Sequence, residues 1–157
     1  MKISNHLSLR EVIKSNTAER LGIDNTPTEE HLENLKYLAE LIFEPLREFA
    51  GSPIYINSGY RGPKLNTAIG GSKRSHHMRG CALDVDNDYK NNKFTNLDIF
   101  YYIKDNLPFT QLIWEFGTDK SPAWVHFAVE RGREDEKQVL IAYKKDGKSK
   151  YKNWDRD

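Results

Sequence analysis

The sequence predicts an α+β protein in which N-terminal helices pack against one mainly antiparallel sheet. Three observations carry that prediction. Leu32, Leu35, Leu38, Leu41, Ile42, Leu46 and Phe49 recur at three- and four-residue spacing, the stripe of an amphipathic helix. Strand-like runs then dominate the C-terminal half, at about 81–86, 110–116, 123–130 and 137–143. No internal repeat and no Gly-, Ser- or Pro-rich linker interrupts the 157 residues, so residues 1–157 are expected to form one domain.

Taken in order, Ser8 and Glu11 fit a capping box for a short helix at about 9–15. Thr17 starts another helical turn that ends near Gly22. Thr26, Pro27 and Glu29 read as the N-cap, first turn and third-position acid of the long helix. Pro45 lies inside that helix, where a proline costs about 3 kcal/mol and a kink is expected. Gly51 closes it. Pro53 to Asn57 reads as a strand, Ser58 to Arg61 as a turn, and Pro63 to Ile69 as a short helix ended by Gly70-Gly71. After the strand at 81–86 comes an Asn-rich loop, and Thr95 with Asp98 caps a helix bearing Leu97, Ile99, Phe100, Ile103 and Leu107. Pro108 ends it. TDKSP and RGREDEK connect the last three strands, and the polar tail from about 145 is expected to fray.

Composition excludes several classes of function. The net charge of +1 gives no electrostatic case for nucleic acid or an anionic membrane. Cys81 is the single cysteine, so an intramolecular disulfide is impossible; it reads as a small core residue. The start, MKISNHLSLREV, has neither an apolar stretch nor a small-residue cleavage site, so no signal peptide is expected and the protein should be cytoplasmic. No run approaches the roughly 18 apolar residues of a membrane span. A monomer that neither binds nucleic acid nor inserts into a membrane is expected.

The chemistry concentrates in residues 56–86, INSGYRGPKLNTAIGGSKRSHHMRGCALDVD. Ser75, His77, Gly80, Ala82 and Asp84 form S-x-H-x-x-G-x-A-x-D. Imidazole and carboxylate both ligate zinc, at about 2.0–2.2 Å. Gly80 lets the chain turn between His77 and Asp84, and Asp84 falls on a strand with Ala82 and Asp86 on the same face. His126, in AWVHFAVE, is the natural third ligand. Two histidines and one carboxylate leave a fourth position open for water, as catalytic zinc sites require.

SGYR, LN, IGGS, the His/Asp motif and WVH occur together and in this order. In this the chain resembles the zinc D-alanyl-D-alanine carboxypeptidases and their relatives, the phage L-alanyl-D-glutamate endolysins, from about Leu7 to about Val129. The resemblance implies the hedgehog/DD-peptidase fold with a zinc site on its sheet, one Zn2+ per chain, and the stem peptide of peptidoglycan as substrate. It implies a phage or prophage endolysin that reaches the cell wall after holin-type release. The motif's register selects His77 over His76 and Asp84 over Asp86, which could be a neighbouring support or an alternative ligand.

Within that resemblance Arg61 is expected to hold a substrate carboxylate or the oxyanion of the tetrahedral intermediate. Ser75 is expected to hydrogen-bond the substrate or a ligand. The family often has an acid three positions before its last histidine, but here that position is Ala123. Glu115, at the end of the preceding strand, is the best substitute base. Tyr60, Trp114 and Trp124 could line the cleft, although aromatics in strands are more often core. Two alternatives stand beside the peptidase. One is a metal-bearing binding module or virion structural protein of the same fold, kept open by Ala123. The other, a cysteine hydrolase built on Cys81, lacks a helix N-terminus to activate the thiol.

Overall fold

A computed structural model of the chain describes residues 1–156. A two-stranded ribbon, β1 (Lys2–Ser4) and β2 (Leu7–Ser8), leads into α1 (Leu9–Ile13) and α2 (Asn16–Leu21). The capping box of Ser8 and Glu11 is present, while α2 is capped by Ser15, two residues before Thr17. The long helix begins as α3 (Glu29–Leu38), capped by Thr28 and not by Thr26. The hydroxyl of Thr26 instead donates to Asp24, 2.6 Å away.

Pro45 is absorbed by a change of helix type. Ala39–Phe43 form a π turn between α3 and α4 (Glu44–Ala50). The Glu44 N–H bonds Ala39 O, five residues back, and Pro45 falls in the first turn of α4, where a missing N–H costs little. The expected stripe is buried at Leu35, Leu38, Ile42 and Leu46 but not at Phe49, which is 62% exposed and stacks on Tyr102 at 4.0 Å.

The remaining elements are β3 (Ile56–Ser58), α5 (Pro63–Ala68), a 3-10 turn (His76–Arg79), β4 (Ala82–Val85) and α6 (Asn96–Asn106). They are followed by β5 (Gln111–Glu115), β6 (Trp124–Ala128), β7 (Gln138–Lys145) and β8 (Lys148–Asn153). Strands β3 to β8 form one sheet in the order β3-β4-β6-β5-β7-β8. Its pairs are antiparallel except β5 with β7, which is parallel. The α+β class and the mainly antiparallel sheet therefore hold.

Directly opposed residues share a face. Leu83, Phe127, Leu112 and Val139 form one row across the sheet, and Val85, Val125, Trp114 and Ile141 another. These rows join the helices' apolar residues, including Ile99, Phe100 and Ile103 of α6, in one core. The opposite face carries Asp84, His126 and Ile113 in one row and Trp124 and Glu115 in the next.

The tail does not fray. Asp146 and Gly147 both have positive φ, 52° and 75°, the backbone of a tight two-residue hairpin turn. Beyond β8, Trp154 packs its ring 4.7 Å from Phe100 and 5.3 Å from Trp114, and its backbone N–H donates to Val139 O at 2.9 Å. No helix among the described residues is long and apolar enough to cross a membrane. Because Trp154 ties the last hairpin to the core, Trp154→Ala should destabilise the protein by roughly 3 kcal/mol. A lower urea midpoint at unchanged m-value would show it, and an unchanged midpoint would contradict this anchoring.

Candidate metal centre

His77 sits in the 3-10 turn that Ser75 caps by accepting its N–H at 3.2 Å. Gly80 ends the turn at φ 73°, where a side chain would collide with the His31 carbonyl oxygen. Only 2% of His77 is exposed. Its Nδ1 lies 2.7 Å from Gly59 O, a carbonyl that can only accept, so Nδ1 donates there and Nε2 is the nitrogen turned toward the other two residues. That Nε2 is 3.3 Å from Asp84 Oδ1. Asp84 on β4 stands directly opposite His126 on β6, and His126 Nδ1 is 2.9 Å from the same carboxylate oxygen.

One ligand atom from each of His77, Asp84 and His126 lies within 4.8 Å of the other two. Ligands about 2.0–2.2 Å from a tetrahedral ion stand about 3.3–3.6 Å apart, so this group could hold one metal ion with modest side-chain adjustment. An ionised Asp84 and a neutral His126 suit that use, with Nδ1 of His126 exchanging for a metal ion the proton it now directs at Asp84. Burial opposes the charge on Asp84, but His77 and His126 outweigh it and hold the carboxylate pKa far below its usual range. Burial pushes the His126 pKa down against the pull of Asp84, which favours a neutral imidazole. Nε2 of His126 is buried and without a partner among the described residues.

The turn that orients His77 is itself fixed from below. The Tyr60 N–H donates to Val12 O at 2.6 Å, and a Cβ on Gly59 would strike that same carbonyl. Asn25 braces the turn from the other side, donating to Tyr60 O and accepting from the Gly62 N–H at 2.9 and 2.8 Å. The sequence reading missed Asn25, and no local pattern marks it. Arg61 follows, with its N–H on His77 O at 3.1 Å and its Nη2 donating to Ser75 Oγ at 3.2 Å. Its Nε is buried and unpartnered among the described residues.

Glu115 lies on the same face as His126, one row along and one strand over. It is 7% exposed, and burial, then the charge of Asp84, push its pKa up to about 8 against the opposing pull of Arg61. A carboxyl titrating near neutrality is suited to proton transfer. Arg61, Ser75, His77, Asp84, Glu115 and His126 all border one cleft of about 530 Å³. A second cleft of similar size, about 550 Å³, opens on the other side of Arg61 but contains none of the three clustered ligands.

Other candidates fall elsewhere. His76 Nε2 faces Glu130 at 3.5 Å, in a cluster that Arg79 and Arg133 complete. Asp86 accepts from Asn96 Nδ2 at 2.9 Å and shapes the following loop. Tyr60 is buried with its hydroxyl 3.1 Å from His31 Nδ1, and Trp114 lies in the core; Trp124 alone of the three aromatics borders the cleft. Burial pushes the Cys81 thiol up to about 11, which disarms it as a nucleophile.

Fold and site together define a class: an α+β protein with a His-Asp-His group on its sheet that could hold one metal ion. A family model described as peptidase M15 matches residues 5–128. The chain belongs to that family, which fits its resemblance to the zinc carboxypeptidases and endolysins. No curated protein matches the chain closely.

The buried carboxyl of Glu115 has a measurable consequence. In the metal-stripped fold Glu115 keeps its proton up to about pH 8, whereas an unfolded glutamate releases it near 4.5. The folded state binds the extra proton between those values, so its stability falls as pH rises through that window and the penalty stays above it. Glu115→Gln should therefore raise the Tm of metal-stripped protein at about pH 9 and leave it unchanged at about pH 4. Parallel thermal melts with chelator would contradict the assignment if the two curves coincide throughout.

Proposed function

We propose that the chain is a zinc metallopeptidase that hydrolyses the peptide part of bacterial peptidoglycan. The single observation that supports this most is the arrangement of Glu115 and Arg61 beside the His77-Asp84-His126 group, both of whose histidines are buried, in one cleft. His77 through Nε2, Asp84, and His126 through Nδ1 would hold one Zn2+ per chain. Zinc so held supplies Lewis-acid polarisation of the scissile carbonyl and lowers the pKa of water toward 7.

The protein's own groups do the rest. Glu115 takes a proton from the attacking water as oxygen adds to the carbonyl carbon. It returns that proton to the amine nitrogen as the C–N bond breaks. Arg61 donates to the negative charge that develops on the carbonyl oxygen or to a substrate carboxylate. Ser75 accepts from Arg61 and from the His77 N–H, so its hydroxyl proton is free to bind substrate. Glu115 on the paired strand fills the role that Ala123 leaves vacant, which favours an enzyme over a metal-bearing binding module. The bond cut is of the D-Ala-D-Ala carboxypeptidase or L-Ala-D-Glu endopeptidase type. The setting we favour is a phage or prophage endolysin that meets the stem peptide after holin-type release.

Three outcomes test this reading on the same preparations, by metal analysis and mass spectrometry of muropeptides. His77→Ala, Asp84→Ala and His126→Ala should each lose most of the bound zinc, while His76→Ala keeps it; the reverse pattern for the two adjacent histidines would refute the ligand set. Glu115→Gln should keep zinc and lose about 10² to 10⁴ in kcat, and full turnover would remove it as the base. Arg61→Lys retains charge but not the planar fork, so turnover should fall steeply with zinc still bound.

A further inference from the structure

The family match ends at residue 128, yet the wall of the cleft opposite Arg61 and Ser75 is built from residues beyond it. Strand β7 joins the sheet parallel to β5 and in register, and β8 folds back on β7. The row that begins with Trp124 and Glu115 therefore continues through Ala142 to Tyr151. Tyr151 stands two strands from Glu115, about 10 Å between backbones. The residue between them is Ala142, the smallest side chain of the row. Tyr151, Ser149 and Leu140 border the same cleft as the clustered ligands.

The tyrosine has the right chemistry for its place. Its hydroxyl makes no hydrogen bond to a described residue, and the residue is 55% exposed. Burial, then the charges of Glu115 and Asp84, push its pKa up, so it remains a neutral O–H donor throughout the working range. The wall around it is ordered: Lys144 Nζ donates to Ser149 Oγ at 3.0 Å and sits 5.5 Å from the centre of the Phe116 ring. Phe116 in turn packs 5.4 Å from Trp124.

We infer that the C-terminal hairpin, β7 and β8, forms one side of the substrate-binding cleft, with Tyr151 donating a hydrogen bond to a backbone carbonyl oxygen of the bound peptide. This rests on the proposed peptidase reading for the class of ligand. A chain in extended conformation lying between Arg61 and Tyr151 would pass over both the metal ligands and Glu115, since those residues occupy the two adjacent rows between the walls. Specificity then comes partly from a segment outside the family-matched region.

The test separates binding from catalysis. Zinc-loaded Glu115→Gln protein, with and without Tyr151→Phe, is titrated calorimetrically with purified muropeptide, and kcat and KM are measured for Tyr151→Phe alone. Loss of one substrate hydrogen bond should weaken binding and raise KM about tenfold, with kcat, zinc content and Tm little changed. Lys150→Ala, adjacent to Tyr151 but on the opposite face of the sheet and outside the cleft lining, should match the unsubstituted protein. Unchanged affinity and KM in the Tyr151→Phe proteins would overturn the inference, as would loss of zinc or of Tm, which would mark a structural role. Tenfold weaker binding, together with no turnover by zinc-loaded protein that retains Glu115, would support the cleft wall while retiring the catalytic reading. Failure of the Glu115→Gln protein to bind muropeptide would overturn both.

Discussion

The register of the three central strands is the constraint on which the site depends. Asp84, His126 and Ile113 are directly opposed across β4, β6 and β5. A slip of one residue would send Asp84 or His126 into the helix-packed face and bring Leu83, Val85, Val125 or Phe127 out of it. Burial of those apolar residues therefore enforces the position of the polar ones. Leu83, Val85, Val125 and Phe127 are all fully buried, and their loss to solvent would cost about 1.5–3 kcal/mol each. Asp84 and His126 are thus held side by side by hydrophobic packing on the far side of the sheet.

His77 is held by different means. It comes from a short turn, not from the sheet, and such a turn has no ladder to fix its side chain. Gly59 O supplies the constraint by accepting from Nδ1. That carbonyl is in place because Gly59 lies against Val12 and because Asn25 braces the next residues. The N-terminal helices, far from the site in sequence, are in this way part of its support. The same turn delivers Arg61, so one segment orients a ligand and places a cation.

Electrostatics in the cleft depend on mutual burial. Asp84 stays ionised because two imidazoles face it, and its charge helps keep the nearby Glu115 protonated. Arg61 opposes that effect from the other wall. Two carboxyls in one cleft are therefore driven apart in pKa by their surroundings, one toward permanent charge and the other toward proton exchange. A cation bound by Asp84 would relieve part of the field on Glu115, so the two carboxyls would titrate differently with and without it.

Much of this was legible in the sequence because the signals are local. Capping residues, the apolar stripe of α3 and the alternation of β4 are written within a few positions of each other, and the motif from Ser75 to Asp84 is as compact. The Asp146-Gly147 turn was also written locally, but the polar composition after Lys144 hid the strand that follows it. What tertiary structure alone decided are the relations between distant segments: the parallel pairing of β5 with β7, the support given by Asn25 and Val12, and the row that links Glu115 to Tyr151. Strand neighbours are chosen by long-range burial and backbone hydrogen bonding, and no single strand's pattern names its partner. Arg61, Ser75, His77, Asp84, Glu115 and His126 could therefore be singled out one by one, while their meeting at one cleft required the fold.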